Sequence, residues 1–280
     1  MLVYGFAQRA LVGGMIIAVV CSVISFFVVV RRLAFVGMGI SHAAFGGVAI
    51  GLVSGVDPIL AAGGFCTVVA LGIGWFSRKG YIHEDTVIGI LFATAMALGV
   101  VLVRAADAYN LDLMSYLFGS ILAMNWNDII IMAVLGVLAL AFVTFFFKEL
   151  LFFSFDEETA TASGLPVRVV YYGLLVTMAL TIVVSIKLVG IILVSALLVV
   201  PGAAGMQLYR NYRRVMVASV IMGIAAVIAG LYLSFWFDVA SGATIVLVLF
   251  ALFLISMALS PRRKYMQRWR ARKRGTARTA

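Results

Sequence analysis

Charge is what this chain has least of. Charged residues make up only 11% of its 280 positions, roughly half the share found in soluble globular proteins. Hydrophobic residues make up 65% and the mean hydropathy is +1.18. An aqueous core could not absorb that much apolar surface, so a water-soluble domain is excluded and the bilayer must solvate much of the chain. The two cysteines, Cys21 and Cys66, lie within apolar runs, which excludes a disulfide framework and reads as small buried hydrophobes. No nucleophilic triad, paired intramembrane carboxylates or zincin-type motif occurs. Gly205 belongs to no phosphate loop, and Gly242 follows Ser241 without a lysine. ATP hydrolysis by the chain alone is therefore not expected.

What is present is a series of long apolar runs. A span needs about twenty mostly apolar residues, which gives nine segments near 10–30, 36–55, 59–76, 86–104, 127–147, 168–187, 188–207, 215–236 and 242–260. The expected fold is all-α, a polytopic transmembrane bundle of eight to nine segments forming one domain over 1–260. Only Lys187-Leu188 separates the sixth and seventh segments, so one of them could be broken or re-entrant. The first run continues to Arg31-Arg32 without a small-residue cleavage site, as expected of a retained span.

Loop charge orders the spans. Alternate connections carry Arg31-Arg32, Arg78-Lys79, Lys148 with Arg168, and Arg210 with Arg213-Arg214. The opposite set carries Asp57, Arg104 with Asp107 and Asp112, Lys187 and Asp238. The basic set marks the cytoplasmic side. Residues 261–280 form a basic tail on that side, with nine cations and no acid between Arg262 and Arg278; without them the formal charge of +10 falls to +1. Such a tail suits anionic lipid headgroups; nucleic acid, its other common partner, is not expected here.

Two connections have a character of their own. Leu111–Leu122 is apolar but too short to cross, as expected of a helix dipping into the outer leaflet or covering a cavity. Residues 154–165 read as a short cytoplasmic helix. Asp156 can cap it, Glu157 and Glu158 suit the positive end of its dipole, and Gly164 with Pro166 would stop it. On residues alone it could equally be a loop helix without special role.

Ionisable groups inside spans are functional candidates by default, and the second span contains His42. It is also rich in small residues, including Gly37, Gly39, Ser41, Gly46, Gly47 and Gly51, which let helices approach closely in lipid. Met38 lies four residues before His42 and so shares its face. The imidazole could ligate a transition metal or hydrogen-bond to a neighbouring helix. One His and one Met do not complete a site, although a homodimer with this face at its twofold axis would double the set. His83, Glu84 and Asp85 could form a metal cluster or simply open a helix with acids at its positive end.

The chain resembles the permease subunits of bacterial ABC importers for zinc, manganese or iron. The resemblance runs from about Phe6 to Leu259, and its pieces fall in family order. They are Gln8–Leu11, Arg31–Phe35, Ser41–Ala44 with Gly47–Ala49, Glu84–Ile90, Asp112–Gly119, Ala162–Pro166, Val189–Pro201 and Ser241–Leu247. It implies a homodimer in the bacterial plasma membrane, with the C-terminus cytoplasmic and the ion pathway between subunits. It further implies a separate ABC ATPase and an extracytoplasmic metal-binding protein as partners. The chain would then be no enzyme and hold no permanent cofactor; the metal is cargo. The site residues implied are His42 and Met38 in the metal pathway, with His42 as metal ligand. Asp156, Glu157, Glu158 and Gly164 would couple to the ATPase, and Asp112, Tyr116 and Phe118 would belong to the outer gate.

One position departs from the family, whose members commonly carry Asp where this chain has Met38. Hard manganese prefers oxygen ligands, so the expected cargo order is zinc first, then manganese or iron. Two alternatives are a permease of the same architecture carrying a chelate or other small solute, and a self-sufficient ion-coupled transporter.

Overall fold

The structure is a computed structural model that describes residues 5–80, 83–105, 119 and 125–260. Among these residues every regular element is helical. In chain order they are α1 (Gly5–Val30), α2 (Ala34–Ser54), α3 (Pro58–Arg78), α4 (Glu84–Ala105), α5 (Trp126–Phe145), α6 (Phe147–Phe155), α7 (Glu157–Ala162), α8 (Val167–Leu197), α9 (Val200–Leu208), α10 (Tyr212–Phe237) and α11 (Ser241–Leu259). Among the described residues nine stretches are long and apolar enough to cross a membrane, matching the nine read from the sequence to within a few residues at each end.

Local chemistry sets the boundaries. Gly55, at φ +70°, closes α2 in the left-handed region that glycine enters without a Cβ penalty. The Asp57 carboxylate then accepts from the N–H groups of Ile59 and Leu60, and Pro58 opens α3 at the position where its missing donor costs nothing. Between α5 and α6 the chain bends at Phe146 (φ −94°, ψ 22°). The fifth run therefore ends in two helices, and the short helix expected over 154–165 is confined to Glu157–Ala162.

The sixth and seventh segments meet at Gly190, whose φ of 77° and ψ of 164° interrupt α8. A methyl group at Gly37 of α2 would lie 3.5 Å from Met178 Cε and 3.8 Å from Leu198 Cδ1. Those two side chains flank one point of α2, yet twenty residues of uninterrupted helix would span about 30 Å. The chain therefore turns back at Gly190. The returning limb continues through α9, where Gly202 N–H donates to Ser25 Oγ at 2.8 Å. Ser260 Oγ, just beyond α11, donates to Gln207 O at 2.8 Å. The sixth and seventh segments are thus two limbs running in opposite directions.

One end of the bundle consequently gathers the C-terminal ends of α1, α3, α9 and α11 with α6 and α7, which is the alternation the basic connections imply. The core lies where α1, α2 and the two limbs of α8 pack, with Phe26, Phe27, Ile40, Met178 and Leu197 buried. Cys21 and Cys66 are buried and unbridged.

Candidate functional site

α2 has two unlike faces. On one, Gly47 lies so close to α3 that an added Cβ would sit 2.6 Å from Ala62 Cα. Gly46, four residues after His42 and so on the flank between the two faces, lies so close to α4 that its Cβ would meet Ala95 O at 2.6 Å. Ser41 is fully buried, its hydroxyl donating to Gly37 O at 2.8 Å. The small residues therefore bring neighbouring helices to backbone contact. On the other face Phe35 is 61% exposed, Met38 46%, and His42 half-buried.

The His42 ring is held at two points. Nδ1 is 2.9 Å from Met38 O; because a carbonyl only accepts, Nδ1 is the nitrogen that carries hydrogen. The ring also meets Phe92 of α4 edge-on, with centroids 5.0 Å apart. A backbone carbonyl on one ring nitrogen fixes the tautomer and leaves the Nε2 lone pair for a ligand. Met38 thus contributes its carbonyl to the imidazole and its thioether to the same open face. Among the described residues no group of three or more His, Cys, Asp or Glu side chains is placed to hold a metal. One chain therefore offers an oriented imidazole nitrogen on an open helix face, not a closed coordination sphere. His83, Glu84 and Asp85 form no metal cluster. The two acids occupy the first turn of α4, and His83 O accepts from the N–H groups of Thr86 and Val87.

At the end of the bundle where α1 and α3 finish, α7 has the cap expected of it. Asp156 Oδ1 accepts from Thr159 N–H at 2.9 Å and Oδ2 from the Thr159 hydroxyl at 2.5 Å. These bonds, the hydroxyl first, hold the exposed Asp156 carboxyl below the usual carboxylate range. Gly164, at φ +77°, ends the helix; its N–H donates to Thr161 O and that of Leu165 to Ala160 O. Asp156, Glu158 and Gly164 are exposed.

Glu157 behaves differently from its two neighbours. Its carboxylate reaches Arg31 Nη2 at 2.5 Å and Arg78 Nη2 at 3.0 Å, joining α7 to the ends of α1 and α3. Arg31 also lies 3.9 Å above the Phe153 ring and donates to Phe153 O at 3.3 Å. Ion pairs about one-third exposed contribute only about 0–1 kcal/mol each, so the cluster fixes position more than it stabilises the fold. Sequence reasoning missed this inward turn, although the basic ends of α1 and α3 beside an acidic helix were its available signal. The contact of Phe92 with His42 left no sequence signal. The outer-gate residues Asp112, Tyr116 and Phe118 lie outside the described residues, as does the tail 261–280.

Residues 3–260 match the ABC 3 transport family. The manganese transport system membrane protein MntC of Halalkalibacterium halodurans is 35% identical over 98% of this chain and 94% of its own length. A Haemophilus influenzae protein named "Probable iron transport system membrane protein" is 32% identical over 92% of this chain and 94% of its own. Among solved structures, PsaBC from Streptococcus pneumoniae in complex with Fab superposes with a TM-score of 0.85 at 34% identity. That likeness covers 94% of this chain and 95% of the other.

Proposed function

The chain belongs to the ABC 3 transport family, and from that premise we propose that it is the permease subunit of an ATP-driven importer of divalent transition metals, with manganese as first cargo. The observation that carries this reading is family membership over nearly the whole chain, together with relatives named for manganese and iron transport. Those names move manganese ahead of zinc, which the Met38 departure alone had put first.

In this reading two copies face each other across their open α2 faces in the bacterial plasma membrane, C-termini cytoplasmic. An extracytoplasmic binding protein releases the ion between two His42 Nε2 atoms and two Met38 thioethers. A separate ATPase acts on α7, alternately opening the seam outward and inward. Thioethers add little for hard manganese, so the ion is held weakly and passes quickly; a transport site has to release what it binds. Uptake of radioactive manganese, zinc and iron by cells carrying His42→Ala tests this. The expected result is loss of uptake with the protein still in the membrane, and undiminished uptake of all three ions would remove His42 from the route.

Met38 favours one second reading, a chelated cargo that needs no carboxylate in the pathway. Metal content of the purified complex, with and without its binding protein, separates the two: a bare cargo is recovered with the binding protein as metal alone, whereas a chelate brings its organic ligand.

A further inference from the structure

The geometry of Glu157 assigns it a role apart from the other acids of α7. Both of its carboxylate oxygens are used internally, on Arg31 and on Arg78, while Asp156 and Glu158 remain exposed. Arg31 clasps the junction between α6 and α7 from both sides. It takes the Phe153 ring and carbonyl on one side and the Glu157 carboxylate on the other. Three residues after Arg31, α2 begins, and His42 follows roughly 12 Å further along the chain at helical rise. Arg78 ends α3, which packs along α2.

The cluster also contains unused bonding capacity. Arg31 Nε and Glu84 Oε1 are buried and without a hydrogen-bond partner among the described residues. The charge of Arg31 also acts on Glu84, a second acid at the start of α4. Transmission between distant sites needs an element with two arrangements; Arg31 holds Glu157 in the arrangement seen, and Glu84 is the second acid within range of its charge.

We propose that Glu157 is a positioning residue that pins α7 through Arg31 to the turn joining α1 to α2 and through Arg78 to the end of α3, so that displacement of α7 reaches the helix carrying His42. This rests on the reading of the chain as an ATP-driven permease. Docking to the ATPase falls to the exposed side of α7, where Asp156 and Glu158 lie; Glu157 transmits what docking delivers.

The test uses the complex purified with its ATPase and reconstituted in proteoliposomes with its binding protein supplied, and with radioactive manganese and, in parallel, zinc as probes. ATP hydrolysis and ions moved per ATP are measured together. Glu157→Gln is expected to keep the ATPase bound and hydrolysing while ions per ATP fall at least about fivefold, the lower end of such couplings. Glu157→Asp is expected to retain part of the ratio. The exchanged pair Arg31→Glu with Glu157→Arg rebuilds one of the two arms and is expected to exceed either single variant. An unchanged ratio in Glu157→Gln would overturn the proposal, as would loss of the ATPase from that variant, which would place Glu157 on the docking face. If the charge-reversed single variants fail to reach the membrane, the exchanged pair decides, and its remaining uncoupled overturns the proposal. Wild-type liposomes without ATP-dependent uptake of either ion would instead defeat the functional reading itself.

Discussion

The two faces of α2 are made from the same twenty-one residues and do opposite things. One, turned to α3, is lined by Gly47 and Gly51, where a single added carbon would stand 2.6–2.7 Å from a neighbouring atom. The other leaves Phe35 and Met38 open and holds His42 by its own backbone and one ring of α4. In lipid, a helix cannot gain from burying ordinary apolar surface, since hydrocarbon is as apolar as leucine. Backbone contact through small residues fixes α2 against α3 on the side opposite Met38 and His42, while α4 and α8 pack on its flanks. That leaves the other side at liberty to carry a ligand, and packing and function are separated by half a turn.

The largest test breaks the sealed face. Gly47→Leu would drive a side chain into the Ala62 backbone, which a neighbour cannot relieve by changing rotamer. Overpacking of this kind costs roughly 1–3 kcal/mol, a fall of about 2–12 °C in thermal midpoint for a chain of this size. Thermal unfolding in detergent should show that fall, while Met38→Leu should leave the midpoint in place. Equal tolerance at both positions would erase the distinction between the faces.

Next comes the open face itself. His42→Ala should reduce manganese uptake about tenfold or more, the equivalent of one 1.4 kcal/mol contact, with the unfolding midpoint unchanged. A parallel loss of stability would make the histidine a packing residue. A smaller and opposite effect is expected from Met38→Asp. Supplying the missing oxygen donor should raise equilibrium manganese affinity severalfold, and raise zinc affinity less; competition binding on the purified complex measures both.

The smallest effect concerns the cap of α7. The Asp156 carboxyl lies below its ordinary range because Thr159 bonds to its charged form. A lowered carboxylate contributes above its unfolded value and is lost only as pH falls through the lower, folded one. Association with the ATPase should therefore not change through Asp156 between about pH 5 and 8. Asp156→Asn should weaken that association modestly and by the same factor across this range.

Much of this was legible in the amino-acid order. Runs of apolar residues place the spans because bilayer thickness leaves little choice of length, and Arg31, Arg78 and the acids of α7 do gather at one end. Asp156 and Gly164 cap and close α7 as their chemistry demands. The reversal between the sixth and seventh segments was visible only as Lys187-Leu188; the turn falls at Gly190, where a positive φ calls for glycine. The bend at Phe146 carries neither proline nor glycine, so no local rule announces it. The inward turn of Glu157 escaped because it depends on Arg31 and Arg78, 126 and 79 residues away. Long-range pairing leaves no periodic trace.

The central claim is that the Met38–His42 face of α2 borders a water-filled ion route. Cys21 and Cys66 are buried, so Met38→Cys introduces one accessible thiol over a low background. In membranes carrying the assembled transporter, that thiol should react with a charged, membrane-impermeant reagent, and manganese should slow the reaction. Reaction with lipophilic maleimide alone, indifferent to manganese, would place this face against lipid and contradict the account.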